Sequence, residues 1–382
     1  MELSNICEYS SKRIDSSLLS VENYVSTENM MQNKGGITLA AKVPVENSVE
    51  FLPGDILISN IRPYFRKIWL SDKKGGCSSD VLCIRALPGT DSTYLYYLLS
   101  QDSFFDYVMS GAKGCKMPRG DKSQIMQWDV DLPNFEEQHR IASILKSIDD
   151  KIQLNNRINH NLEQQAQALY KSWFVDFEPF RDGKFVESEL GMIPEGWRVG
   201  TLSEISSITM GQSPSGTSFN EVGDGIVFYQ GRTEFGNRFP SIRLYTTEPA
   251  RFAEKFSVLL SVRAPVGDIN IAKEKCCIGR GLASIHGLFQ SFVYYTVGSL
   301  KPVLNRFNGE GTVFGSINRK ELEGLKIIVP PVIIQEDFNC IVSKYDRDIY
   351  DRCSENETLC QLRDKILPKL MSGELKISDL TC

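Results

Sequence analysis

The sequence predicts an α+β protein in which two similar α/β domains are separated by a pair of long antiparallel coiled-coil helices, as a pseudo-two-fold repeat. Three observations predict this arrangement: an internal repeat with an offset of 197 to 202 residues, two apolar patterns with a 3.5-residue period, and short strand patterns beside helical ones. The length of 382 residues by itself predicts two or three domains.

The repeat consists of segments that recur in the same order in both halves of the chain. A short Leu-Ser-x-Ile segment comes first and a strand pattern followed by an arginine comes next; a glycine-rich turn then leads to an apolar run that ends in proline. The matching pairs are Leu3–Ile6 with Leu202–Ile205, Asp55–Arg62 with Ser257–Arg263, Gly111–Gly120 with Gly309–Gly315, and Leu132–Pro133 with Ile327–Pro330. Two copies of one segment order predict two copies of one fold.

Within each domain, short apolar runs predict strands, and a longer run with aromatic and leucine positions predicts a helix. The adjacent Cys276 and Cys277 fit the two sides of a strand better than a redox site. The predicted helices are Ser92–Met109 and Leu288–Leu304. The predicted strands are Asp55–Trp69, Val81–Arg85, Ile226–Tyr229, Phe256–Val262 and Ile269–Lys273.

A long helical pattern follows each domain, with apolar positions that step by four and three residues. Two such helices are expected to pack on each other, with Asn159 aligned with Asn356 to fix the register at some cost in stability. Two alternatives stay open. Each helix is an amphipathic helix that packs on a globular core, or the polar middle of the helices, which also includes Asn155, is solvated. We call this row of positions the seam; its residues are Ile141, Leu145, Ile148, Ile152, Asn159, Leu162 and Leu169 in the first helix and Val342, Tyr345, Ile349, Asn356, Leu359 and Ile366 in the second.

These patterns divide the chain into six parts, with a connection containing proline and glycine after the first helix. The aromatic run Tyr170, Trp173, Phe174 and Phe177 near the end of that helix fits either a core or a partner surface. The predicted parts are a first domain at 1–133, a helix at 134–176, a linker at 177–191, a second domain at 192–331, a helix at 332–373 and a C-terminal tail at 374–382.

The composition excludes several classes of protein. With 41% hydrophobic and 24% charged residues, the chain is neither disordered nor a small disulfide scaffold. The first residues lack a signal-peptide pattern, and no apolar run approaches the roughly 18 residues of a membrane span. The ten cysteines include no C-x-x-C pair, and only three histidines are present. We expect a cytoplasmic protein with reduced thiols, no metal site and no membrane contact.

The net charge of -5 argues at first against a nucleic-acid binder, but the charge is unevenly divided. Residues 191–331 hold 15 basic and 12 acidic side chains, a net charge of +3. Residues 1–133 carry -2, and the stretches 134–190 and 332–382 carry -3 each. The second domain is therefore basic, and the first domain still contains local basic clusters.

Basic and amide side chains cluster in loops at similar places in both domains, interleaved with tyrosine. Arginine, glutamine and asparagine suit the reading of base edges because their hydrogen-bond patterns are bidentate, whereas lysine supplies attraction to phosphate. For each residue alone, the alternative is a solvated loop. The candidates for DNA contacts are Lys12, Arg13, Arg62, Tyr64, Arg66, Lys67, Lys113, Lys116, Arg119, Gln212, Gln230, Arg232, Arg238, Arg243, Arg263, Arg280, Asn305 and Arg306.

The sequence contains no convincing catalytic motif. A phosphate-binding loop, a nucleophile elbow, an amino-methylase tetrapeptide and a zinc-protease helix are all missing. Phe307–Gly311 (FNGEG) and Gly211–Gly216 (GQSPSG) are only weak near misses, and the three histidines are scattered. We therefore expect no catalytic residue in this chain.

Three segments give the chain, over nearly its whole length, a resemblance to the specificity (S) subunit of type I restriction–modification systems. They are Leu132–Ile144 (LPNFEEQHRIASI), Trp173–Val199 (WFVDFEPFRDGKFVESELGMIPEGWRV) and Leu367–Leu375 (LPKLMSGEL). The resemblance implies two target-recognition domains and two helical regions, the arrangement expected from the repeat. It also implies a non-enzymatic chain in which each domain reads half of a bipartite double-stranded DNA target.

The resemblance further implies the partners. The helices would set the distance between half-sites and dock two adenine-methylating subunits, to which restriction and motor subunits add. S-adenosylmethionine and ATP would bind to those partners, so the chain itself would need no cofactor.

Two segments depart from the family pattern. Because Met1–Leu3 lacks the sequence of Pro194–Trp197, the first domain is expected to lack its first strand or to start differently; Val329–Gln335 lacks the E-Q-x-x-I form that begins the first helix.

Two other functions stay open: a duplicated coiled-coil scaffold that binds only proteins, and an enzyme with an unrecognised site. A specificity subunit of a related restriction–methylation system also fits. The paired arginine- and glutamine-bearing loops favour DNA reading over the scaffold, and the lack of a motif disfavours the enzyme.

Overall fold

The computed structural model of the chain describes residues 1–308 and 315–377. It divides into two compact units: unit 1 contains Met1–Asn156 and Cys353–Cys382, and unit 2 contains Arg157–Arg352. Both units combine small sheets with helices, so the chain is an α+β protein, as predicted. Among the described residues, no helix is both long enough and apolar enough to cross a bilayer.

Unit 1 contains two four-stranded sheets. Its strands are β1 (Cys7–Tyr9), β2 (Arg13–Ile14), β3 (Tyr24–Val25), β4 (Ser48–Phe51), β5 (Ile56–Ser59), β6 (Ile68–Leu70), β7 (Gly75–Cys77) and β8 (Val81–Ala86). Its helices are α1 (Ser92–Leu99), α2 (Asp102–Ser110), α3 (Lys122–Met126) and the first part of α4 (Phe135–Phe174). The sheet orders are β1-β8-β5-β6 and β2-β4-β7-β3, and among the described strands of this unit only β3 and β7 pair in parallel.

The central strand β5 is apolar throughout because it is buried on both faces. Ile56 and Ile58 pack in a cluster with Phe104 of α2, whereas Leu57 packs with Phe51 of the second sheet. Successive side chains of a strand point to opposite faces, so one strand holds the helix layer and the second sheet on either side. The uninterrupted apolar run that predicted this strand is the signature of such double burial.

Unit 2 has the same plan with two more small sheets. Its strands are β9 (Phe185–Ser188), β10 (Gly191–Pro194), β11 (Arg198–Thr201), β12 (Ser207–Met210), β13 (Phe219–Asn220), β14 (Ile226–Tyr229), β15 (Leu244–Thr246), β16 (Phe252–Ala253), β17 (Val258–Ser261), β18 (Ile269–Ile271), β19 (Cys276–Ile278), β20 (Leu282–His286) and β21 (Lys326–Val329). Its helices are the second part of α4, α5 (Leu202–Ile205), α6 (Gln290–Ser299), α7 (Lys301–Leu304), α8 (Arg319–Glu323) and the first half of α9 (Val332–Met371).

The sheets of unit 2 follow those of unit 1 in order. The first is β12-β20-β17-β18 and the second is β13-β15-β14-β19-β16, in which only β14 and β19 pair in parallel. Strand β17 is buried on both faces: Val258 and Leu260 pack on the cluster that contains Phe292, and Leu259 packs on the cluster that contains Tyr229. Strand β11 pairs with β21 over four residues, whereas unit 1 has a single bridge, Glu2 to Asp129, at its corresponding edge.

Three predicted elements are interrupted in the structure. The predicted strand Asp55–Trp69 is the hairpin of β5 and β6, because Arg62 and Arg66 have left-handed backbones on either side of a 3₁₀ turn at Pro63–Phe65. The predicted helix Ser92–Met109 is α1 followed by α2, and Leu288–Leu304 is α6 followed by α7. Each break restarts the helix at a new first turn, which in α7 contains Pro302 at a position where proline is tolerated.

In unit 1 the two long helices run antiparallel. Asp149 accepts a hydrogen bond from Arg363 at 2.7 Å, and six residues later Asn155 donates to Asn356 at 2.8 Å. Residue numbers therefore rise along α4 while those of the facing residues fall along α9. The seam residues Ile141 and Leu145 pack in the same cluster as Leu367 and Leu370, and Ile366 lies against it. Ile148 is buried and Ile152 is half-buried, as are Leu359 and Asn356.

In unit 2 the helices are also antiparallel and their contact is largely aromatic. Tyr170, Trp173 and Phe174 surround Phe338, with ring centroids between 5.1 and 6.0 Å from it. The predicted aromatic run is therefore core in this unit. The seam residues Leu162, Leu169 and Tyr345 are half-buried, Val342 and Ile349 are buried, and Asn159 is half-buried.

The asparagine that bonds to Asn356 in unit 1 is Asn155, and not the predicted Asn159. Asn155 is fully buried, and Asn356 also donates to Asn156 at 2.9 Å. The prediction was wrong because it aligned positions that are equivalent in the repeat. In an antiparallel pair, equivalent positions face each other at one point only, and elsewhere a residue faces a different position of the repeat. The residue opposite Asn356 is Asn155, one turn earlier in α4 than Asn159.

We expect Arg363→Met to lower the free energy of unfolding by about 1–3 kcal/mol, because it leaves the half-buried carboxylate of Asp149 without its cation. The matched control is Arg347→Met on the same helix, whose pair with Asp351 spans 3.8 Å and is exposed. The control should cost less than about 0.5 kcal/mol. Urea denaturation of both variants measures the difference, and equal effects would contradict a structural role for Arg363.

Candidate nucleic-acid interface

Two loops of unit 1, which the sequence suggested separately, lie side by side. The Arg62 amide donates to the Pro118 carbonyl at 2.8 Å, and Ile61 and Arg119 form a bridge. Lys113 and Arg119 exchange backbone hydrogen bonds of 2.9 Å, so residues 113–119 form a small hairpin. The structure thus brings the predicted cluster around Arg62 together with the predicted cluster of the glycine-rich loop.

Arg62 is held in position by its backbone while its side chain is exposed. Its φ of 51° lies in the left-handed region, which is rare for arginine and marks a conformation imposed by the surrounding loop. Within the described part of the chain, no hydrogen bond or ion pair is recorded for its guanidinium. Tyr64 is 48% exposed and packs on Phe65 at 4.6 Å. The loop therefore exposes both an arginine and a tyrosine.

Most other cations of this surface already have acidic partners. Arg119 contacts Asp80 at 3.1 Å, Lys113 contacts Asp121 at 2.7 Å, and Arg66 contacts Asp102 at 3.0 Å. The hydrogen bond from Lys113 is the main cause that lowers the pKa of Asp121, so this carboxylate stays ionised at neutral pH.

Four further candidates of unit 1 differ in their surroundings. Lys67 is half-buried and donates to the Thr27 carbonyl at 2.6 Å, whereas Lys116 is exposed in the hairpin. Lys12 and Arg13 lie on the second sheet, where Lys12 contacts Glu50 at 2.8 Å and Arg13 donates to the Asn47 carbonyl. No described hydrogen bond joins Lys12 or Arg13 to the two loops around Arg62.

Unit 2 repeats the backbone pairing of these loops. The Ala264 amide donates to the Gly315 carbonyl at 3.0 Å, and Arg263 and Ser316 form a bridge. Residues 309–314 of the glycine-rich turn lie outside the described residues. The register corrects the alignment made from sequence: Ala264 occupies the place of Arg62, and Arg263 occupies the place of Ile61. Arg263 is exposed.

Gln212, Gln230 and Arg280 come from three loops that the structure brings together. The Gln212 amide donates to the Ile278 carbonyl at 2.9 Å, and the Arg280 amide donates to Ser213 Oγ at 3.4 Å. A Cβ on Gly279 would come within 2.8 Å of the Gln230 carbonyl oxygen, so glycine is required for this close approach. All three candidate side chains are exposed.

Asp268 lies at the centre of a second group in unit 2. It accepts from Lys301 at 2.8 Å and forms an ion pair with Arg232. Burial alone would raise the pKa of Asp268, but the hydrogen bond from Lys301 and the charge of Arg232 more than offset it, so the pKa is lowered. Asn305 and Arg306 are exposed on the neighbouring 3₁₀ turn.

Arg243 and Arg238 both bind carboxylates, but their exposure differs. Arg243 contacts the buried Glu234 at 2.7 Å and keeps half of its side chain exposed. The side chain of Arg238 is only 6% exposed and is enclosed by Glu163 of α4 and Asp346 of α9. Its guanidinium lies 4.3 Å from the Tyr294 ring centroid.

Arg238 is therefore removed from the candidate DNA contacts. Burial by itself lowers the pKa of Arg238, but the electrostatic interactions with Tyr294 and Asp346 raise it by more, so the guanidinium stays charged where it lies. In sequence it was indistinguishable from Arg243, because only the tertiary fold places two carboxylates around it. Its role is to join the sheets of unit 2 to both long helices.

Lys34 and Asp102 in unit 1, and Asp268 and Lys301 in unit 2, form ion pairs within their own unit and were not predicted. Each was a single charged residue without a local motif, and its partners are distant in sequence. One signal was available: Asp102 stands just after α1 and Lys301 stands just after α6. No group of three histidine, cysteine or acidic side chains suited to a metal ion occurs in the described ranges.

Two stretches of the chain, residues 1–164 and 194–356, match the model of a family described as the type I restriction modification DNA specificity domain. The putative type I restriction enzyme MjaX specificity subunit of Methanocaldococcus jannaschii is 36% identical over 293 residues, which cover 74% of this chain and 68% of that protein. The type I restriction enzyme HindI specificity subunit of Haemophilus influenzae is 23% identical over 452 residues, covering 98% of each.

A solved structure has a similar fold. The crystal structure of the type I restriction–modification system S subunit from M. genitalium aligns over 97% of this chain and 95% of its own, with a TM-score of 0.61 and 17% identity. At this identity the likeness concerns the fold alone.

Arg238→Met should destabilise unit 2 by about 3–5 kcal/mol, because it leaves two carboxylates enclosed without their cation. Arg251→Met, which removes an exposed arginine from the same unit, is the control and should change stability by less than about 0.5 kcal/mol. Thermal denaturation of both variants is the measurement. An Arg238→Met protein as stable as the control would return Arg238 to the candidate DNA contacts.

Proposed function

The chain belongs to the type I restriction modification DNA specificity family, and from this premise we propose that it is the non-catalytic subunit that reads DNA for a restriction–modification complex. In this proposal each unit reads one half of a bipartite double-stranded target. The paired helices set the half-site spacing and dock two adenine-methylating subunits, to which restriction and motor subunits add. S-adenosylmethionine and ATP bind to those partners.

One observation carries the proposal for this chain. In each unit, the loop that follows the central strand is hydrogen-bonded to a glycine-rich loop through the same backbone pairing, Arg62 to Pro118 and Ala264 to Gly315. Exposed arginines, Arg62 in one unit and Arg263 in the other, are presented from these loops. A protein-only scaffold would not need cation-bearing loops with the same backbone pairing at corresponding places in both units.

We divide the candidate residues by their chemistry. Arg62, Arg263 and Arg280 are exposed without a recorded carboxylate partner among the described residues, so their forks are available for base edges, as are the amides of Gln212 and Gln230. The carboxylate-paired cations, and Lys116 and Arg306, suit phosphate contacts, which position the protein and make its binding salt-dependent.

The proposal includes a duplicated organisation with a pseudo-two-fold axis. The shared sheet orders, β1-β8-β5-β6 in one unit and β12-β20-β17-β18 in the other, support it. The antiparallel course of the helices within each unit is what such an axis requires.

We expect Arg62→Ala and Arg263→Ala each to weaken target binding by about 5- to 150-fold, the 1–3 kcal/mol of a lost bidentate base contact, with little change for non-target DNA. Long-read mapping of methylated adenines first gives the target in cells that carry the complete complex. Titration of a duplex with this target against purified complex at fixed salt then gives the affinities.

The charge control for these variants is Lys184→Ala, which removes an exposed cation next to the β9–β10 hairpin. It should bind within about twofold of the unchanged complex. If the two arginine variants bind the target as well as this control does, the loops do not read bases and the scaffold interpretation gains ground.

Insertion of one heptad into each long helix, which keeps the seam in phase, should change the recognised spacer. Seven residues add about 10 Å of helix, close to the rise of three base pairs. Methylation mapping reads the new spacer directly.

The same heptad inserted between Arg181 and Asp182, outside both helices, serves as the control and should leave the spacer unchanged. Methylation at the original spacing after the double helix insertion would refute the proposal that the helices measure the distance.

A further inference from the structure

In unit 1, three elements meet at one carboxylate. Asp102 is the first residue of α2 and contacts Arg66 at 3.0 Å and Lys34 at 3.4 Å. Arg66 lies in the β5–β6 loop, which carries Arg62. Lys34 lies in the segment after β3, and its amide donates to the Arg66 carbonyl at 2.9 Å. We call Arg66, Asp102 and Lys34 the unit 1 triad.

In unit 2, the corresponding three elements also meet at one carboxylate. Asp268 lies in the β17–β18 loop, which carries Arg263, and it contacts Lys301 at 2.8 Å. Lys301 is the first residue of α7. Arg232, which also pairs with Asp268, lies in the segment after β14. We call Asp268, Lys301 and Arg232 the unit 2 triad.

The sheets establish that these elements correspond. Strands β3 and β14 are the ones that pair in parallel with β7 and β19, respectively. The two loops close equivalent hairpins: the Ser59 amide donates to the Lys67 carbonyl, and the Ser261 amide donates to the Asp268 carbonyl. The loop–helix ion pair therefore has opposite polarity in the two units. The third element, the segment after β3 or β14, supplies a cation in both units. This cation pairs with the carboxylate, which lies on the helix in unit 1 and on the loop in unit 2.

The triads act on loop position more than on stability. Their side chains are between 17% and 57% exposed, and ion pairs at such exposure contribute little to the free energy of unfolding. What each triad does is tie the arginine-bearing loop to a helix and to the second sheet. Arg66 is itself in a left-handed conformation with φ of 49°, so the unit 1 loop is anchored where its backbone is least adaptable.

We propose that the two triads, with opposite loop–helix polarity, are positioning devices that hold the reading loop of each unit in register with its DNA half-site. The proposal rests on the proposed function. Asp268 and Lys301 are positioning residues in this scheme, because they act through the loop that carries Arg263. Polarity matters only within a unit, so a matched exchange of loop and helix charges should preserve the device.

The test exchanges the charges in unit 2 alone. Asp268→Lys breaks the triad, and Asp268→Lys with Lys301→Asp rebuilds it with the polarity of unit 1, since Arg232 can then pair at position 301 as Lys34 pairs with Asp102. Each variant is expressed with its partner subunits, and adenine methylation is mapped by long-read sequencing. In the single variant we expect methylation at the original sites to fall about tenfold, or the sequence requirement to relax at one half-site only. In the double variant we expect the original methylation pattern to return.

A milder variant separates positioning from folding. Asp268→Asn keeps the size of the side chain, and we expect thermal stability near that of the original protein together with a relaxed unit 2 half-site. The unit 1 half-site is the internal control and should stay unchanged in all variants. The inference is overturned if the double variant does not restore methylation, or if the motif stays unchanged in the single variants whatever their stability. Absence of any specific methylation with the unaltered chain would instead overturn the proposed function.

Discussion

In each unit a tyrosine-to-aspartate hydrogen bond ties a helix that packs on the sheet to one of the long helices, and much of the architecture depends on it. In unit 1, Tyr97 of α1 donates to Asp149 of α4 at 2.7 Å. In unit 2, Tyr295 of α6 donates to Asp346 of α9 at 3.3 Å. Burial and the neighbouring carboxylate raise the pKa of Tyr97, so the phenol stays protonated and remains a donor. Because the donor and the carboxylate are largely enclosed, the helix cannot rotate without leaving both unpaired.

A largely enclosed carboxylate also needs a cation, and the two units supply it differently. Arg363 reaches Asp149 from the opposite helix, whereas Arg238 reaches Asp346 from the sheet domain. The two units thus share the tyrosine–aspartate hydrogen bond, but their arginines are not at equivalent positions. An arginine in the sheet domain is therefore not evidence of a DNA contact by its residue type alone. Its burial and its partners decide between holding the fold and facing a ligand.

The sequence predicted those parts of the fold that depend on periodicity. The long helices, the seam and the strands β5 and β17 follow from apolar spacing, which is a local property. The arginine roles were not predictable, because Arg238 and Arg243 have similar neighbours in the chain and differ only in tertiary surroundings. The facing asparagines were also missed, because repeat equivalence does not say which residue of an antiparallel pair lies opposite. Charge counts overstated the free cations for the same reason: Arg119, Arg66 and Arg232 have distant acidic partners.

The hairpins show how one scaffold can carry different loops. In unit 1 the pair Ile58 with Ile68 flanks residues 59–67, and in unit 2 the pair Leu260 with Ile269 flanks residues 261–268. The unit 1 loop is one residue longer, yet both hairpins keep the same strand register. Register is held by burial of the strands on both faces, where a slip of one residue would turn every side chain to the wrong side. The loop between them bears no such constraint, so its length and its side chains can change while the backbone pairing at Arg62 and Ala264 persists. Strict strands with variable loops let the two units share one fold while they present different side chains.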